Sequence, residues 1–199
     1  MKGIFAVIIL LVCSSLVFGQ GLSIGLGGGL NYDMANSGVE GAETSSGLGF
    51  GGGLVFDMSI LPMLGVEMDI QYAQYKYSSS AGGVDATSTS NNLVIPFLFK
   101  CKMAMPAFSP NFVLGPSLIK QLSASWEVGS LSGDVADSLL ETDIGIQAGL
   151  GANLGVLPGF GIAPYFRFQY NLTANNPDTD NSESAYDFLF GVNFTRSFL

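Results

Sequence analysis

The chain has 199 residues, a formal net charge of −9, no His and 27 Gly, with only 12% charged against 48% hydrophobic residues. That length and composition fit one domain, too apolar to be disordered and too sparsely charged to cover a soluble surface. The acidic balance excludes nucleic acid as a partner, because such a protein needs a basic stripe to displace counterions from phosphate.

Residues 1–19 carry an early Lys2, an apolar run from Ile4 to Val12 and small residues up to Gly19, the layout of a secretory signal peptide, with cleavage expected before Gln20. The run is too short for a spanning helix. Cys13 follows Leu10, Leu11 and Val12 in the manner of a lipoprotein box, but bulky Val12 stands where a small residue is needed. Residues 20–199 are then one domain with Cys101 as its single cysteine, so no intramolecular disulfide is expected.

No later segment is long and apolar enough for a transmembrane helix; the hydrophobicity recurs with period two instead, which only an extended strand places on one face. Strand one sets Leu22, Ile24, Leu26, Leu30 and Tyr32 against Ser23, Gly25, Gly27, Asn31 and Asp33. Strand two sets Leu48, Phe50, Leu54 and Phe56 against Gly49, Gly53 and Asp57, and strand three Leu64, Val66, Met68, Ile70 and Tyr72 against Glu67, Asp69 and Gln71. Strand four places Leu93, Ile95, Phe97, Phe99, Cys101 and Met103 opposite Asn92, Lys100 and Lys102. Strand five, from Phe112 to Trp126, is out of phase at Ile119 and Lys120, which a bulge there would repair. Strand six runs from Ile144 to Val156, strand seven from Phe160 to Leu172 opposite Arg167, Gln169 and Asn171, and strand eight from Tyr186 to Phe198 opposite Asp187, Gly191 and Asn193.

Long polar connections (35–46, 78–90, 129–139, 173–184) alternate with short ones around Leu61-Pro62, 104–110 and Leu157-Pro158. The expected fold is all-β: an eight-stranded antiparallel up-and-down transmembrane β-barrel, closed because an open edge cannot sit in hydrocarbon. Short turns at one end and long loops at the other fit a bacterial outer-membrane barrel with both termini in the periplasm. Tyr32, Tyr72, Trp126, Tyr170 and Tyr186, near the strand ends, suit aromatic girdles.

At this size the lumen is filled by side chains. Inward Gly leaves room for long polar groups, and Glu67, Asp69, Lys100, Lys102, Asp143, Arg167 and Asp187 are the candidates for lumen ion pairs. Centring the third hairpin near Gly83 puts Glu67 opposite Lys100.

The patterns Asn92-Leu-Val-Ile-Pro96 with Lys100, Leu114-Gly-Pro-Ser117, Asp143 to Gly151 and Arg167-Phe-Gln-Tyr-Asn-Leu172 resemble strands four to seven of the PorT-type outer-membrane β-barrel family, within the wider group of OmpA/OmpX-like eight-stranded barrels. The resemblance covers about Gly21 to Leu199 and implies barrel type and export route, not a reaction. It implies outer-membrane lipid and the barrel assembly machinery as partners, although Phe198-Leu199 departs from the terminal aromatic residue of assembly signals. A monomer is expected.

No catalytic, metal or cofactor site is expected. Gly47-Leu-Gly-Phe-Gly-Gly52 matches a dinucleotide fingerprint, but its glycines continue a strand rather than open a helix. Barrel hydrolases generally use His, and there is none. Asp57, Glu67, Asp69 and Asp143 are the carboxylates to examine for clustering, and Asp178, Asp180 and Glu183 for Ca²⁺, though without an EF-hand spacing. Three functions remain open: a non-enzymatic barrel that stabilises the envelope or presents loops to an unknown ligand, a narrow channel, and a soluble lipocalin-like carrier whose apolar face points inward.

Overall fold

Leu26, Leu30, Phe50, Leu150 and Phe190 all point away from the interior, and Leu150 is 61% and Phe190 53% exposed. Their sequence neighbours of opposite parity, Asn31, Gln147, Gly149 and Gly191 among them, point inward, as period-two alternation requires. The computed structural model describes residues 21–36, 45–81, 84–103, 105, 108–136, 141–173 and 184–198. The proposed leader, residues 1–19, and the loop carboxylates Asp178, Asp180 and Glu183 lie outside these residues.

The strands are β1 (Leu22–Asn36), β2 (Ser45–Leu61), β3 (Leu64–Ala81), β4 (Val84–Lys102), β5 (Phe108–Val128), β6 (Leu131–Asp134), β7 (Thr142–Leu157), β8 (Phe160–Asn171) and β9 (Ser184–Ser197). All pairings are antiparallel, and the sheet closes through β1 with β9 and β4 with β5. Eight strands form the barrel, and the four-residue β6 pairs only with the far end of β5. The apolar faces look out and the polar faces in, the reverse of a soluble carrier, so that reading is set aside.

The lumen is not uniformly polar. Val55, Val94, Leu98, Val113, Ile119 and Leu189 are buried inside it, and each has the inward parity of its strand. Ala73, Tyr75, Val94 and Ile119 pack together, with Tyr77 against them, toward the end of the long connections.

Two connections differ from the sequence expectation. Residues 78–90 are not a long loop: β3 and β4 stay paired from Ser78 with Thr87 through to Ala81 with Val84. Hydroxyl side chains carry no hydropathy signal, yet they suit a solvated ladder, and the Ser78 and Thr87 hydroxyls lie 3.4 Å apart. Residues 129–139 contain the returning strand β6. Together the ends of β3, β4 and β5 with β6 form a sheet that continues where β7 and β8 have stopped.

The bulge in β5 lies just beyond the expected place. Asn91 pairs with Ser123 and Asn92 with Gln121, so Leu122 is the extra residue. Ile119 therefore keeps its inward phase, in the apolar cluster, and Lys120 its outward one. Past the bulge Trp126 shares a face with buried Ala124 and lies against Gly133 of β6, where an added Cβ would come within 2.8 Å of the indole. It belongs to this extension rather than to a girdle with Tyr32, Tyr72 and Tyr170. Among the short turns, Gly159 has φ +77°, a left-handed conformation that Gly adopts without steric cost.

Candidate functional site: a charged network across the lumen

Inward positions on β2, β3, β4 and β8 bring six charges together. Lys102 Nζ lies 2.8 Å from Asp57 Oδ1 and donates to Ser59 Oγ at 2.9 Å. Lys100 Nζ bridges Asp57 Oδ2 at 2.6 Å and Glu67 Oε2 at 2.5 Å. Arg167 bonds the other oxygen of Glu67 through Nη2, and its Nη1 reaches Asp69 Oδ2 at 2.7 Å. Gln71 Nε2 completes the chain by donating to the same Asp69 oxygen at 2.9 Å. Three carboxylates meet three cations, so the network is charge-neutral, as burial in an enclosed lumen demands.

The register differs by two residues from the expected one. Glu67 faces Leu98, and Lys100 faces Gly65. The long Lys100 side chain spans the diagonal and reaches Glu67 nonetheless. Small partners make such reaches possible. Gly149 stands directly across from Arg167, and an added Cβ there would lie 2.7 Å from Arg167 Cγ. Tyr165 has Gly151 on one side and Gly191 on the other, and its ring lies 4.3 Å beneath the Arg167 guanidinium.

Of the seven ion-pair candidates, Glu67, Asp69, Lys100, Lys102 and Arg167 meet in this network. Asp143 does not: it sits half-buried at the start of β7, where Thr173 Oγ1 donates to it at 2.8 Å. Asp187 does face inward, but toward Asp33, its direct partner across the β1 and β9 ladder, rather than toward a cation. Gln169 Nε2 donates to Asp187 at 2.8 Å, and the Lys76 backbone N–H donates to Asp33 at 3.0 Å. Gln147 Nε2 in turn donates to Gln169 Oε1 at 2.7 Å. Asp57, read only as a carboxylate to examine, is the hub between the two lysines. Asp33, on the inward face of strand one, was not singled out, and only its strand parity could have signalled it.

Where the network meets Asn111, Tyr165 and Asn193, about 10 Å³ of free space remains, room for about one water molecule. Among the described residues no group of three or more Cys, Asp or Glu is placed to hold a metal ion.

No curated protein matches the sequence. Among solved structures, the outer membrane protein OprG from Pseudomonas aeruginosa has 14% identity and a TM-score of 0.58, over 90% of this chain and 96% of that one. Neisserial surface protein A has 16% identity and a TM-score of 0.48, over 86% and 95%. At these identities the likeness to OprG speaks for the fold alone. A family model described as outer membrane protein beta-barrel domain matches residues 18–176. With a closed barrel of outward apolar faces, the chain belongs to that family, the β-barrel proteins of the bacterial outer membrane.

Proposed function

We propose that this protein is a non-enzymatic, non-conducting barrel that presents a surface beyond the membrane, and that it acts as a monomer. The observation that carries the reading is the reach of Arg167 from β8 to Glu67 and Asp69 on β3, which blocks the lumen from wall to wall. The apolar cluster of Ala73, Tyr75, Val94 and Ile119 adds a second obstruction nearer the mouth.

The presenting surface is the sheet formed by the ends of β3, β4 and β5 with β6. A groove of about 280 Å³ runs over it, lined by Thr87, Thr89, Ser125, Glu127, Ser132 and Asp134. Its hydroxyl and carboxylate groups suit a ligand rich in hydrogen-bond donors. The short turns at 62–63 and 158–159 lie at the end where β1 begins and β9 finishes, which supports periplasmic termini behind a cleaved leader. The strand patterns shared with PorT-type barrels support that narrower kinship and dependence on the assembly machinery, without assigning a reaction.

Purified protein in planar lipid bilayers tests the closed lumen. The expected trace is flat at the baseline; a steady open conductance would establish a channel instead.

A further inference from the structure

The outer face carries a cation that the lumen network does not use. Arg196 near the end of β9 points outward, level with Ile24 of β1 and Phe160 of β8. Its guanidinium lies 5.4 Å from the Phe160 ring centroid and 5.6 Å from that of Phe198. Among the described residues no carboxylate is within ion-pair distance of it. A charge on the hydrocarbon-facing side of a membrane sheet is costly unless it meets a polar headgroup or a counter-charge.

Directly beside it lies a groove of about 350 Å³ whose lining includes Leu26, Val156, Phe160, Ile162 and Phe194, with Arg196 as its one charged residue. The groove extends from the level of Arg196, at the strand ends where headgroups lie, to Leu26, Ile162 and Phe194, the next outward positions along the strands. An apolar trough with a guanidinium at its headgroup end matches the two parts of a phospholipid. The acyl chain loses its contact with other chains but gains the rings and branched side chains of the trough. The phosphate accepts paired hydrogen bonds from the planar guanidinium, which two rings hold in place.

We infer that Arg196 and the adjoining groove form a binding site for one phospholipid, phosphate on Arg196 and acyl chain along Ile162 and Phe194. Membrane residence is established by the family, and the inference does not depend on whether the lumen conducts.

The test is native mass spectrometry of delipidated protein given dioleoylphosphatidylglycerol or, separately, dioleoylglycerol, which has the same chains and no phosphate. The wild type is expected to retain one phosphatidylglycerol about tenfold better than the diacylglycerol, the factor that one charge-assisted hydrogen bond supplies. R196Q should retain the two equally, and R196K, which keeps the charge but not the planar fork, should keep only part of the preference. Equal retention of both lipids by the wild type, or an undiminished preference in R196Q, overturns the site. Should R196Q not fold, I162W decides with Arg196 intact: a filled groove must lose the bound phospholipid, and undiminished retention there also overturns the inference.

Discussion

Arg167 on β8 bonds Asp69 on β3 at 2.7 Å although the two strands stand on opposite sides of the barrel, four strands apart in either direction. The contact fixes the bore at the length of one arginine and one aspartate. It is buried, and its members share other partners unequally, so their removal should not cost the same.

Among the described residues, Arg167→Met takes the only bonded cation from Asp69 and one of two from Glu67. The expected loss is about 3–5 kcal/mol, the range for a broken buried pair. Lys100→Met should cost less, because Asp57 keeps Lys102 and Glu67 keeps Arg167. Urea unfolding in lipid vesicles, followed by the heat-dependent gel shift, measures both; equal losses would contradict the sharing described.

Gly149 gives Arg167 its room. Gly149→Val puts carbon where Arg167 Cγ and the Phe166 carbonyl already stand, each 2.7 Å from an added Cβ. A loss of about 1–3 kcal/mol is expected, as for overpacked cores. Combining it with Arg167→Ala should give less than the sum of the two single losses, since alanine lacks the Cγ that is one of the two obstacles.

Asp33 and Asp187 form a pair of like groups on the ladder that closes the barrel, both fully buried. Among the described residues neither has a salt-bridge partner, and each has one oxygen without a hydrogen bond. Asp187→Asn removes one formal charge and supplies a donor toward Asp33 while still accepting from Gln169. It should raise stability by about 1 kcal/mol, the scale of a relieved like-charge pair across a ladder. A lower unfolding midpoint in urea would count against this account.

Strand identity and facing were legible because alternation is a local property: Phe188 and Phe190 announce their side with no knowledge of the partner strand. The same parity places Leu98, Val113 and Leu189 inside, but their apolar character blends with the flanking Phe97, Phe99 and Phe190. The ends of β3 and β4 carry Ser and Thr on both faces, so no contrast marks them as strands. Pairing was only partly legible. The Glu67 and Lys100 contact follows from one hairpin, whereas the Arg167 and Asp69 contact depends on barrel diameter, and the Asp33 and Asp187 pair exists only once the first strand meets the last.

The uneven strand ends make the mouth of the barrel directional. β5 runs eight residues past Lys120, the partner of the first residue of β7, so the paired ends of β3, β4, β5 and β6 stand above the ends of strands β7 and β8. Among the described strands, backbone ladder and hydroxyl side chains are therefore offered on one bearing around the barrel, that of β3, β4, β5 and β6, and not beside the ends of β7 and β8.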